Sequence, residues 1–265
     1  MYTFDYKRPA AQADATAAFH GDARYLAGGQ SLIQAMKLRM SSAETLIDLG
    51  AIEGLHGIHL DHDGAVVIGA MTKHSEVAAS DIVRKAIPAL ADLAGGIGDQ
   101  MVRNQGTLGG SIANADPAAC YPSAIVALGA TVHTNQRKIP GADFFTGIYE
   151  TALHAGELIT AVSFPVPTRA AYVKFKQPAS RFALVGVFLA QTADGVHVAV
   201  TGAKGSVFRA TQIEAALNAS YTPEAAKAVH LPTDDINSDL HGTAEYRAAM
   251  ISVMAGRAVA ASLGH

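Results

Sequence analysis

Ala27-Gly28-Gly29-Gln30-Ser31-Leu32-Ile33 is the stretch on which the reading of the fold turns. A short strand candidate, Arg24 to Ala27, runs into it. Beyond it Leu32, Met36 and Met40 recur at i, i+4 and i+8, the apolar face of a helix laid on a core. Two adjacent glycines remove side chains, so backbone N–H groups can approach an anion closely. A helix starting near Ser31 adds unpaired N–H donors and the positive end of its dipole, which together make a phosphate site. Gln30 and Ser31 add side-chain hydrogen-bonding groups. Taken alone, the loop also reads as a tight strand-to-helix turn with no ligand.

A second glycine-dense loop lies about 80 residues further on, at Gly106-Thr107-Leu108-Gly109-Gly110-Ser111-Ile112-Ala113-Asn114. It repeats the pattern of paired glycines, a hydroxyl residue and following polar groups. Two such loops suit one pyrophosphate held from two sides, because a dinucleotide carries adjacent anions and two ring systems. Neither loop matches Gly-x-Gly-x-x-Gly or the Walker pattern. Gly202-Ala203-Lys204-Gly205-Ser206 echoes the latter only superficially, since its spacing differs and no helix follows at once.

Outward from these loops, strand and helix signals alternate. Thr45 to Leu49 reads as a strand. Ile58-His59-Leu60 and Ala65 to Ile68 flank Asp61-His62-Asp63-Gly64 as a hairpin. Helical stretches run from about Ser75 to Leu93 and from Pro117 to Leu128. The composition shifts at Phe164-Pro165-Val166-Pro167-Thr168, where a domain boundary is expected. Beyond it, Ala171–Lys176, Ala183–Gln191 and Val196–Val200 read as strands, with the turn at Asp194-Gly195. Thr211–Asn218, Pro223–Val229 and Ala244–Leu263 read as helices.

The 265 residues suffice for one large domain or two modest ones. Hydrophobic residues make up 49% and charged residues 16%, an ordinary globular composition. A net charge of −3 without a basic stripe gives nucleic-acid binding no support. No apolar run reaches the roughly 18 to 20 residues that cross a bilayer. Met1 to Tyr6 lacks a signal-peptide layout, so the chain reads as cytoplasmic, with a partner able to carry it to a membrane. Cys120 is the single cysteine, which excludes an intrachain disulfide and a cysteine-ligated iron–sulfur cluster within the chain.

Ala27 to Leu32 with Met36-Lys37, the run Val102 to Pro117, and Glu245-Tyr246-Arg247 resemble the FAD subunit of molybdenum hydroxylases. The likeness is strongest to the medium subunit of aerobic carbon-monoxide dehydrogenases and more distant to the xanthine dehydrogenase flavin domain. Tyr172 to Val187 and Asn237 to Leu240 extend it over nearly the whole chain. The resemblance implies an α+β fold: a two-lobed FAD-binding domain of the vanillyl-alcohol-oxidase (PCMH) type over residues 1–168, with lobes of about 1–55 and 56–168. A small C-terminal domain, a short antiparallel sheet with helices, would occupy 169–265. It also implies the site. Leu26, Ala27, Gly28, Gly29, Gln30, Ser31, Leu32 and Ile33 would hold the pyrophosphate from one side. Gly106, Thr107, Gly109, Gly110 and Ser111 would hold it from the other, with Ala113 and Asn114 continuing that contact. Ile97, Gly98 and Val102 would line the cofactor upstream. Ile159 and a lysine, Lys174 or Lys176, would sit by the flavin ring. Relatives usually carry an acidic cofactor contact where this chain has Cys120, so the chain departs from the family pattern at that side chain. A small buried thiol is the favoured reading of Cys120 over a redox role.

Thr72 resembles a family position close to the flavin and reads equally as a helix N-cap. His56, His59 and His62 beside Asp61 and Asp63 suggest a metal, but a solvated hairpin is the favoured reading. Leu32, Met36 and Met40 read as core. No nucleophile–base–orienter set is visible. The function the resemblance implies is electron transfer. A large molybdenum–pterin subunit and a small subunit with two [2Fe–2S] clusters would be partners, in a dimer of heterotrimers, and electrons would leave through FAD to an external acceptor. A stand-alone flavin oxidoreductase of the vanillyl-alcohol-oxidase type is the alternative, and a nucleotide-binding module without redox function the third reading.

Overall fold

The computed structural model describes residues 1–264, so His265 of the expected C-terminal domain lies outside the described residues. The chain opens with three parallel strands, β1 (Asp5–Lys7), β2 (Ala23–Leu26) and β3 (Thr45–Asp48), in the order β1-β3-β2. Parallel neighbours need crossovers, supplied by the helices α1 (Gln12–Ala17) and α2 (Leu32–Lys37). Successive strand residues face opposite sides, so Leu46 packs on Met36 while Ile47 joins Ala15, Leu49 and Leu55.

Met36 is buried, as its helical spacing predicts, but Met40 is 79% exposed. The helix stops at Lys37, and Arg39 takes a φ of +58°, which swings Met40 out of the apolar face. Leu32 is half-buried, packing on the Met36 cluster with one side toward the cleft described below.

A five-stranded antiparallel sheet follows, ordered β4-β5-β10-β6-β7: β4 (Ile58–Leu60), β5 (Val66–Gly69), β6 (Thr131–Thr134), β7 (Lys138–Pro140) and β10 (Ile159–Phe164). Between β7 and β10 lie α9 (Gly141–Phe144) and the hairpin β8 (Phe145–Gly147) and β9 (Glu150–Thr151). Between β5 and β6 run α3 (His74–Ala79), α4 (Asp81–Ala86), α5 (Pro88–Gly95), α6 (Gln100–Arg103), α7 (Leu108–Asn114) and α8 (Tyr121–Ala127). The helical stretches expected over Ser75 to Leu93 are three short helices. Ser80 caps the second by accepting from the Val83 N–H, and Pro88 opens the third, where its missing N–H costs nothing.

The last sheet is antiparallel and ordered β11 (Arg169–Lys176), β12 (Ala183–Thr192), β13 (Gly195–Thr201) and β14 (Phe208–Arg209). Both of its faces are covered. Phe188, Ala190 and Ala199 join the core built around α5, α7 and α8. Val185, Val187, Leu189, Val198 and Val200 face α10 (Thr211–Ala219), α11 (Pro223–Lys227) and α12 (Ala244–Leu263). The Gly202 N–H also donates to Pro117 O at 2.8 Å, a backbone bond across that junction. No helix among the described residues is long and apolar enough to cross a membrane.

Glu245-Tyr246-Arg247 and Asn237 to Leu240, two stretches that carry the family resemblance, meet here. Arg247 is buried. One guanidinium nitrogen donates to Leu184 O and Gly202 O at 2.8 and 2.9 Å, and another to both carboxylate oxygens of Asp239 at 2.8 Å. These residues fasten the last helix to its sheet and take no part in a cleft. Gly202, at a φ of +84°, serves the same turn, and Lys204 lies over the Phe208 ring. Replacing Arg247 with Met would leave two buried carbonyls without donors. A loss of about 3 kcal/mol in urea-unfolding stability is expected. Asp239→Asn should cost clearly less, because Asp239 is half exposed.

Candidate functional site

Strand β2 delivers Leu26 into the first glycine loop. Gly29 has a φ of +71°, a conformation that disfavours any side chain. The Ile33 N–H is spent on Gly29 O at 3.2 Å and the Ala35 N–H on Ser31 O at 3.0 Å. Among the described residues, the N–H groups of Gly29, Gln30, Ser31 and Leu32 have no protein acceptor. They form a concave row of donors suited to an anion. Helix α2 is only six residues long, so free N–H groups rather than a long helix dipole make this cradle. The Gln30 side chain donates to Gly28 O at 3.2 Å and steadies the loop.

The second loop is built differently. Its N–H groups are consumed inside the protein: Leu108 on Thr72 O, Gly109 on Ala70 O, Gly110 on the Thr107 hydroxyl and Ser111 on Thr107 O. The expected repetition of anion-binding chemistry therefore does not extend to these donors. Its glycines serve close approach instead. A Cβ on Gly109 would lie 2.7 Å from the Ala70 Cβ, and one on Gly110 would lie 3.2 Å from the Ala27 Cβ. A Cβ on Gly28 would fall 2.1 Å from Gln105 O, so the first loop rests directly on the backbone that leads into the second. Ser111 and Asn114 keep side chains that make no hydrogen bond to the protein, among the described residues, and both line the cleft.

The two loops bound a cleft of about 730 Å³. It brings together Leu26, Ala27, Gly28, Gly29, Gln30, Ser31, Leu32, Ile97, Gly98, Val102, Gly106, Thr107, Gly109, Gly110, Ser111, Ala113, Asn114, Cys120, Ile159 and Lys174. Two residues named from the sequence stand outside it. Ile33 packs beside the Met36 cluster, against Gly29, with its N–H already used. Thr72 is buried behind the second loop. Its hydroxyl accepts from the Gly57 N–H and donates to Gly57 O, both at 3.1 Å, and its carbonyl accepts from Leu108. Thr72 is also not an N-cap, since that position of α3 belongs to Lys73.

Of the two candidate lysines, Lys174 faces the cleft and Lys176 does not. The Lys174 ammonium donates to Gly96 O at 2.8 Å and Arg181 O at 2.9 Å, and stands 3.5 Å from the Cys120 sulfur. Cys120 is a buried thiol at the start of α8. The hairpin cluster reduces to Asp61, His62 and Asp63. Asp61 Oδ1 accepts from the Asp63 and Ala65 N–H groups, the geometry of a turn, and His56 and His59 stand apart.

Further lining residues were given no place in the site by the sequence. Arg181 and Phe182 reach the cleft from the turn after β11. His74 lines it from α3, close enough to Gly106 that a Cβ there would meet Nε2 at 2.6 Å. Burial, with the nearby Arg103 charge second, lowers the His74 pKa to about 4, and its Nδ1 is a buried polar atom without a protein partner. At the far end, Glu157 is buried beneath Arg137, which donates to it at 3.0 and 3.1 Å. Those bonds, with donors from the His154 N–H and the Thr134 hydroxyl, outweigh desolvation and lower the carboxyl to about 2.

An open cleft walled by a cradle of free N–H groups, by closely packed glycine loops and by apolar side chains defines a protein with a site suited to a large, anion-bearing ligand. Residues 2–167 match the family described as the FAD-binding domain in molybdopterin dehydrogenase. Over its whole length the chain is similar to the carbon monoxide dehydrogenase medium chain of Afipia carboxidovorans, at 36% identity covering 97% of this chain and 96% of that one. It is similar to the glyceraldehyde dehydrogenase medium chain of Sulfolobus acidocaldarius at 33% identity, covering 96% of each. The structure of reconstituted CO dehydrogenase from Oligotropha carboxidovorans superposes with a TM-score of 0.91, at 34% identity, over 99% of this chain and 98% of that one. The chain belongs to the FAD-binding medium-subunit family of the molybdopterin dehydrogenases, and it is an oxidoreductase subunit of the molybdenum hydroxylase type.

Two pH responses follow. Glu157 has a folded pKa of about 2 against an ordinary 4.5, so its stabilisation is full above pH 4.5 and is lost as the pH falls toward 2. Glu157→Gln should cost about 2 kcal/mol at neutral pH in chemical denaturation, and the gap to the parent chain should close between those values. His74, lowered from 6.5 to about 4, favours the unfolded state when protonated and so erodes stability as the pH falls through that window. Its ring signals in an NMR titration should stay those of neutral imidazole down to about pH 4.

Proposed function

We propose that the chain holds FAD between the two glycine loops and works as the electron-transfer subunit of a molybdenum-containing dehydrogenase. It would receive electrons from the [2Fe–2S] clusters of a small partner subunit and pass them to an external acceptor. The single observation that carries the reading is the row of free N–H groups from Gly29 to Leu32, set in the same cleft as the unpaired Ser111 and Asn114 side chains. The cleft volume lies within the range of small-ligand and cofactor sites. FAD, when bound, supplies a ring system able to hold one or two electrons.

The residues of the chain supply binding, orientation and charge. The N–H groups of Gly29, Gln30, Ser31 and Leu32 take the diphosphate. Gly106, Thr107, Gly109, Gly110 and Ser111 form the facing wall, and Ala113 and Asn114 extend it. Ile97, Gly98, Val102, Cys120, Ile159 and Lys174 bound the ring end. Ile33 and Thr72 hold the loops in shape from behind.

Both curated relatives described above are medium chains, one of an enzyme named for carbon monoxide and one for glyceraldehyde, at nearly equal identity. Near-equal likeness to flavin chains of different dehydrogenases supports substrate choice in another subunit. A large molybdenum–pterin subunit and a small iron–sulfur subunit are the partners inferred, in a dimer of heterotrimers. Sheet membership supports a chain divided near residue 168, with lobes of about 1–55 and 56–168.

The test is the visible spectrum of the purified chain before and after addition of FAD. Protein-bound flavin bands are expected, and Gly29→Val should abolish them by forcing a side chain into positive φ at the cradle. Gly110→Val, which drives a side chain into Ala27, should do the same. Failure to take up FAD, both alone and with the partner subunits, overturns the reading.

A further inference from the structure

We infer that the chain carries a second binding site, for the anionic group of a small electron acceptor, in a side cavity at the mouth of the cleft. The inference rests on the flavin reading above and names the class of acceptor that reading leaves open. The side cavity holds about 290 Å³ and shares Gly98, Lys174 and Arg181 with the large cleft, so the two spaces adjoin. Lys176 stands on its rim and not in the cleft.

Its charge is one-sided. Lys174 and Lys176 lie two residues apart on β11 and both line the cavity. Their partners on β12 are Gly186 and Ala183. Arg181 holds a φ of +66°, a costly conformation for a residue with a side chain, and points its guanidinium toward Gly98 O at 3.4 Å. Arg103 is a neighbouring cation outside the cavity wall, donating to Ile97 O at 3.0 Å and Gly98 O at 3.2 Å. Among the described residues, none of these four pairs with a carboxylate. Among the described residues, Asp92 is the one carboxylate in the cavity wall. Asp99, next to Gly98, spends an oxygen on capping α6 through the Val102 N–H.

The chain as a whole is negative, so this positive spot is local. Cations gathered at the mouth of a low-dielectric cleft focus the field and raise the local concentration of anions. A lysine on an outer strand also guards against strand pairing. That role requires neither an arginine held in left-handed backbone nor an opening into the cleft. The ligand class is therefore a small anion: the phosphate group of a nucleotide acceptor, or an inorganic complex anion. A neutral quinone gains nothing from the site.

The test uses the FAD-loaded chain and its Lys176→Glu and Lys176→Gln variants, with flavin content measured first. Inorganic pyrophosphate is titrated by calorimetry, and the reduced flavin is reoxidised in stopped flow by NAD+, by ferricyanide and by a neutral quinone. Lys176→Glu is expected to weaken pyrophosphate and to slow at least one of the anion-bearing acceptors by about fivefold or more, with Lys176→Gln intermediate and the quinone rate within about twofold. Salt should depress the affected rate in the parent chain and less so in the variants. Which acceptor responds separates a nucleotide phosphate from a complex anion. Unchanged pyrophosphate affinity, or equal slowing of charged and neutral acceptors, overturns the anion site. If the parent chain takes up no FAD, the flavin reading fails by itself, and the difference in pyrophosphate affinity between parent and variants still decides the anion site.

Discussion

The contact on which the cleft depends is the seat of Gly28 on the backbone of Gln105 and Gly106. A Cβ at residue 28 would fall 2.1 Å from a carbonyl oxygen, well inside any tolerable approach. Because backbone meets backbone there, the parallel sheet of the first strands and the helices beside the five-stranded sheet share one wall. Gly110 against Ala27 repeats the constraint a few residues on. These glycines were read from the sequence as places where a ligand comes close. In the structure, the first thing to come close is the other loop.

That packing explains an asymmetry between two loops that look alike in sequence. The second gives its N–H groups to Thr72, Ala70 and Thr107 and becomes a rigid wall. The first, braced from behind by that wall, is left with four donors unspent. A cradle that had to supply its own rigidity would use those same donors to do so. Left open to the cleft, that row of unspent donors has the form of an anion cradle.

What was legible in the sequence follows from periodicity and turn chemistry. The strands β11 to β13 are apolar runs, β12 nearly unbroken, and the last two are parted by the turn at Asp194-Gly195. They appear in the structure within a few residues of their expected ends, with β12 buried on both faces. The hairpin at Asp61 to Gly64 was equally plain, because Gly64 supplies the positive φ. The strands from Thr131 to Phe164 escaped notice. Most are four residues or fewer, and β10, the central strand of its sheet, draws its neighbours from distant parts of the chain. Helical spacing placed Met36 correctly and Met40 wrongly, since periodicity says which face is apolar but not where a helix ends. Among the cleft residues, the loop positions were readable from motif chemistry. Arg181, Phe182 and His74 were not, because tertiary packing alone brings them to the cleft.

The sheet that ends the chain belongs to two cores at once. Phe188, Ala190 and Ala199 complete the interior of the part that precedes residue 168, while their neighbours on the same strands build another interior with the last helices. The boundary visible in composition is thus a joint in the chain but not in the packing. The two parts cannot drift as beads on a tether, nor be inherited separately without resurfacing the exposed side. Because the cleft takes its walls from both parts, with Lys174, Arg181 and Phe182 facing the glycine loops, such a joint is a ruler: the width of the cleft is set by a shared interior and not left to the reach of a linker.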